Sequence, residues 1–204
     1  MNMFCFQCQE TARGTGCTVK GVCGKDPQTA AYMDVLLYAV RGIAIVNRTL
    51  REKGTADNEI DHFVLDALFC TITNANFDDE AIIVRIKKAF EIKNILVGTA
   101  KKRNIALPDM PEVAYFVSEE NYLAEAAEVG VLSEPNEDLR SLKQMVIYGV
   151  KGAAAYTEHA LNLGFEDHDI YAMIENALAE ISRSDISAEE LVSLVLNVGE
   201  CGVK

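Results

Sequence analysis

The chain has 204 residues, half of them apolar, and its 19 Lys and Arg against 31 Asp and Glu give a formal charge of −12. So acidic a chain repels phosphate backbones, which excludes nucleic acid as an expected partner, and four prolines without a low-complexity tract exclude a disordered composition. The longest apolar runs are broken by Arg, Asn, Lys or Asp before the ~20 residues a bilayer demands, and Met1–Phe6 is too short for a signal peptide, so a soluble, cytoplasmic protein with no membrane partner is expected.

Residues 1–25 form the first unit. They carry Cys5, Cys8, Cys17 and Cys23 with Gly14, Gly16, Gly21 and Gly24 and show no helical periodicity, which predicts a tight loop. Arg13, Lys20 and Lys25 against Glu10 give this stretch a balance of +2 and leave −14 on the rest. That acidic remainder reads as solvated surface, with a docking face for a basic redox partner as the alternative.

Everything afterwards reads as helix, so the expected fold class is all-α. Asp26 caps a first helix with Pro27 at its first position and Gly54 as its stop. A second helix is expected over about 59–74. A third is capped by Asp78 and frays near Lys101–Arg103, where cations suit the negative end of the helix dipole. Pro108 and Pro111 mark a linker, and a short helix over about 118–129 ends at Gly130. Asn136 caps a long helix that stops at Gly164, a sixth helix covers about 169–181, and Ser187-Ala188-Glu189-Glu190 is a capping-box opening for a seventh.

An internal echo organises these helices. Residues 38–45 read Tyr-Ala-Val-Arg-Gly-Ile-Ala-Ile and residues 148–155 read Tyr-Gly-Val-Lys-Gly-Ala-Ala-Ala. Gly42 and Gly152 would each cost about 1 kcal/mol against Ala inside a helix, a cost that close approach of a neighbouring backbone would offset. The echo predicts two three-helix bundles, 26–104 and 136–204, behind the cysteine loop 1–25 and joined by a linker with a short helix at 105–135. Chance similarity between two Ala-rich helices is the alternative.

The cysteine spacing is Cys5-x2-Cys8-x8-Cys17-x5-Cys23. A C-x2-C pair puts two sulfurs on one turn, and the two later cysteines are near enough to reach the same centre. Glycines let the backbone wrap a bulky inorganic core, and the local cations offset thiolate charge. A structural zinc ion is the competing occupant, although zinc ribbons usually present a second C-x2-C pair where this chain has C-x5-C. Spacing leaves the metal open between an iron–sulfur cluster and zinc.

The run Met3-Phe4-Cys5-Phe6-Gln7-Cys8-Gln9-Glu10-Thr11-Ala12, with Gly14-Thr15-Gly16-Cys17 and Gly21-Val22-Cys23-Gly24-Lys25, resembles the N-terminus of the hybrid cluster proteins, also called prismane proteins or hydroxylamine reductases. The resemblance implies that Cys5, Cys8, Cys17 and Cys23 bind a cubane [4Fe–4S] cluster and that the helical part is the first domain of a longer chain. It implies an overall reduction of hydroxylamine to ammonia, with nitric oxide reduction as a competing proposal. The family's hybrid Fe–S–O cluster is held by residues of later domains that have no counterpart here, so the 204 residues alone are not expected to be catalytic. Implied partners are those later domains and a ferredoxin-like or NADH-linked reductase as electron donor. A zinc-stapled helical interaction module without redox activity is the reading from a different class.

Other candidates read as structural. Cys70, among Leu68, Phe69 and Ile72, is expected to be a buried thiol, and Cys201 has no assigned role. Glu59-x-x-His62 has di-iron spacing but no second copy. His159 and His168 lie among acidic residues, and no phosphate-binding or dinucleotide motif occurs.

Overall fold

Burial decides which helix becomes the centre. The structure, a computed structural model, describes every residue except Met1, Asn2, Gln9, Ala56, Thr73 and Lys204. Helix α1 (Pro27–Arg51) starts at Pro27 after extended Asp26 and ends in a turn closed by Gly54 at φ 75°. It is buried on nearly every side, with Val35, Leu36, Ala39, Val40, Ile43 and Val46 fully inaccessible. By length and composition alone α1 is apolar enough to cross a membrane, but Asp34 and Arg41 interrupt it and most of the stretch lies inside the protein as its core helix.

Helices α2 (Asn58–Cys70) and α3 (Asp79–Lys102) follow, capped by the Asp57 and Asp78 carboxylates. The α2 end comes four residues earlier than periodicity suggested, because Thr71 closes the helix through its hydroxyl, which donates to the Leu68 carbonyl at 2.8 Å. Helix α4 (Pro111–Ala114), a single turn, was not legible in the sequence. The expected helix over 118–129 is a 3-10 turn, Glu119–Asn121, leading into α5 (Tyr122–Val129). Asn136 caps α6 (Glu137–Asn162) through two backbone N–H groups, Asp167 caps α7 (His168–Glu180), and the capping box of Ser187 and Glu190 opens α8 (Ala188–Cys201). The fold is all-α; among the described residues the only β pairing is an isolated bridge between Cys5 and Cys17.

Helices α1, α2 and α3 pack together, as do α6, α7 and α8, and α1 also packs on α7 while α2 packs on α6. One continuous apolar cluster therefore draws residues from both halves. Segment 105–135 is part of this core: Val117, Tyr122 and Ala126 are buried and α4 and α5 lie on α1. Gly42 is what admits it. A Cβ there would collide with the Glu112 carbonyl oxygen, so α4 can cross α1 only over a glycine. Arg41 Nη2 then donates to Glu112 Oε1 at 2.5 Å, and buried Lys93 donates to the Glu112 and Tyr115 carbonyls. At the echoed Gly152 a Cβ would meet open space, so the close approach foreseen for both glycines occurs at one.

A polar network lies between α1, α2 and α7. Arg51 donates to Asp61 and to Glu175, and Asn47 donates to Glu175 at 2.6 Å. Two buried carboxylates thus share one guanidinium.

Candidate metal centre

The cysteine loop is shaped by backbone pairing and glycine. Cys5 and Cys17 exchange N–H···O bonds of 3.1 and 2.8 Å, which bring the two ends of the first half of the loop together. The Thr11 hydroxyl donates to the Cys5 carbonyl at 3.1 Å, and the intervening 3-10 turn (Ala12–Gly14) bends through left-handed Arg13 and Gly14. Gly16, at φ 138°, lies on the Phe4 ring, where a Cβ would come within 2.8 Å of Cε2. In the second half the Gly21 N–H donates to the Lys25 carbonyl at 2.8 Å, and a Cβ on Gly21 would sit 3.0 Å from Cys23 Sγ. The loop therefore leaves room at that sulfur that any other residue would fill.

Cys17 has the most developed environment. Its sulfur accepts the Ala12 N–H at 3.5 Å and lies 3.7 Å from the Thr11 hydroxyl. Burial pushes its thiol up, but N–H groups of Ala12 and Val22 with the Thr11 hydroxyl outweigh it, and the net shift is downward, toward thiolate. Cys5, Cys8 and Cys23 are half-buried and none of the described cysteines is in a disulfide. The structure pairs Cys5 with Cys17 but does not gather the quartet: among the described residues, no three Cys, His, Asp or Glu side chains converge as metal ligands. The donor set, four thiols with one already biased to thiolate and a glycine gap beside another, fits a thiolate-ligated metal centre in chemistry.

Beneath the loop lies a group of charges. Lys151, on the inner face of α6, is 2% exposed; its ammonium donates to Gln7 Oε1 at 3.1 Å and to the Thr71 carbonyl at 3.3 Å. Lys25 is also buried, and both line a cavity of about 20 Å³ with Phe4, Cys5, Gln7 and Asp34. Burial raises the Asp34 carboxyl to about 7, against the pull of Lys151 and Lys25. Burial likewise lowers Lys151 to about 7, helped by Lys25 and opposed by Asp34, Cys5 and Cys70. No motif in the sequence marks Lys151 or Asp34. The available signal was a lysine inside the apolar stripe Ile147, Val150 and Ala154, at the position echoing Arg41.

The family described as Prismane/CO dehydrogenase matches residues 3–204. The chain belongs to it. Proteins named hydroxylamine reductase from Bacteroides thetaiotaomicron, Desulfitobacterium hafniense and Clostridium novyi share 53%, 45% and 44% identity with it over its full length. The chain spans 37%, 38% and 37% of the length of these relatives.

The remaining candidates of this prismane-family chain fall outside the cysteine loop. Cys70 is buried at the end of α2, and burial pushes its thiol up, so it stays protonated as expected for a packed cysteine. Cys201 is buried at the end of α8. His62 pairs with Glu166 at 3.2 Å, not with Glu59, and His159 and His168 stack edge-on against Phe69 and Tyr171.

Proposed function

We propose that this chain is the electron-transfer part of a hydroxylamine-reducing enzyme, with Cys5, Cys8, Cys17 and Cys23 holding a [4Fe–4S] cluster. The observation that carries the reading is the match of residues 3–204 to a family whose relatives bear the hydroxylamine reductase name, on a chain with a four-cysteine glycine loop. The cluster would supply reversible storage of one electron. The chain's own residues do the rest. The Ala12 N–H and Thr11 hydroxyl favour the ionised Cys17 sulfur, Gly21 leaves space beside Cys23, and Phe4 under Gly16 shields one flank of the loop.

In the cytoplasm a ferredoxin-like or NADH-linked reductase would donate the electrons. They would pass to a hybrid Fe–S–O cluster in the remainder of the full-length protein, where hydroxylamine takes up two electrons and two protons to give ammonia and water. The 204 residues would relay electrons without carrying out that reaction themselves.

Cysteine replacement tests the ligand set. Cys17→Ser and Cys23→Ser, purified without oxygen, should lose most of the iron held by the parent protein, while Cys70→Ser should keep it. Equal iron in all three variants would remove the four-cysteine assignment.

A further inference from the structure

Lys151 is a buried amine whose hydrogen-bond partners among the described residues are neutral. Gln7 Oε1 and the Thr71 carbonyl accept from it, and no ion pair joins it to a carboxylate among the described residues. Asp34 acts on it only at longer range. Elsewhere in the protein Arg51 reaches two carboxylates and Arg41 reaches Glu112, whereas Lys93, as buried as Lys151, also donates to two backbone carbonyls; Lys151 is set apart by lying against the cysteine loop. An ammonium without its counter-ion is costly to bury, and Lys151 lies against the loop segment between Cys5 and Cys8 through Gln7. The missing negative charge is the one that four thiolates around a metal core would bring.

We infer that Lys151 is the buried counter-charge of the cysteine-held centre, a positioning residue that reaches it through Gln7 and raises its reduction potential. The inference rests on the proposed iron–sulfur reading. Adding one electron makes the centre one charge more negative, and a fixed cation a few side chains away stabilises that reduced form in a medium where water screens little. Lys151 also ties α6 and the end of α2 to the loop, so a structural role has to be separated from the electrostatic one.

The test is a redox titration of the anaerobic, iron-loaded protein with a dithionite reductant, followed by electron paramagnetic resonance. Lys151→Met and Lys151→Gln remove the charge, Lys151→Gln keeps a polar head for Gln7, and Lys151→Arg restores the charge. Both neutral variants should shift the reduction equilibrium toward the oxidised form by tenfold or more, about 59 mV in potential, and Lys151→Arg should return it most of the way. If Lys151→Met fails to fold, Lys151→Gln decides. A parent-like potential in Lys151→Gln with the iron retained would overturn the inference alone. A parent protein that binds no iron would overturn the cluster reading and the inference with it.

Discussion

At the scale of single residues, two glycines in matching sequence positions do different jobs. Gly42 lets the Glu112 carbonyl approach α1, whereas Gly152 faces open space. Gly42→Ala should therefore destabilise the protein by about 1–3 kcal/mol, the range for forcing extra atoms into a packed contact. Gly152→Ala should stabilise it by up to about 1 kcal/mol through helix propensity alone. Thermal unfolding of the two variants checks the contrast; equal shifts in one direction would refute it. The residues of the candidate site divide in the same way between legible and hidden. The four cysteines announce themselves by spacing. Lys151, Asp34 and the enclosed position of Lys25 do not, because their meaning depends on α6 lying against a loop more than a hundred residues away.

At the scale of elements, caps were the most readable signals. Asp78, Asn136 and Ser187 with Glu190 open helices where sequence rules place them, because a side-chain oxygen satisfies an N–H that nothing else can reach. Helix α4 has no sequence signature because one turn carries no periodicity; it exists through its contacts with Arg41, Lys93 and Gly42. The network joining α1, α2 and α7 was invisible for a similar reason, since Asn47, Arg51, Asp61 and Glu175 come from three separate helices. There, Asp61 Oδ2 has no hydrogen-bond partner among the described residues, and burial is the main force raising the Glu175 carboxyl, with Asp61 adding to it and Asn47 and Arg51 opposing. The folded protein thus holds this proton more tightly than the unfolded chain does. The stabilisation from this group is complete at pH below the ordinary carboxylate range and is lost as pH rises toward the raised folded value. Glu175→Gln should accordingly gain melting temperature relative to the parent between about pH 5 and about pH 8. A constant difference across that range would show that Glu175 is ionised throughout.

At the scale of the whole molecule, the helices and the cysteine loop are stabilised separately. The main apolar cluster spans α1 to α8 excepting the short α4, while the loop contributes a satellite of Met3 and Cys17 against Ala30. Changing a loop cysteine should therefore disturb the satellite against Ala30 and leave the main helical cluster folded, so metal content can be read on folded protein. The separation also lets a uniformly helical scaffold carry a site that its core does not need. The proposal that the loop holds an iron–sulfur centre is supported by membership in the prismane family, the cysteine quartet and the thiolate-favouring surroundings of Cys17. Iron, acid-labile sulfide and zinc counted on protein purified without oxygen test it most directly. The account predicts a brown protein with about four irons and about four sulfides per chain; a colourless protein with about one zinc per chain and no sulfide would contradict it.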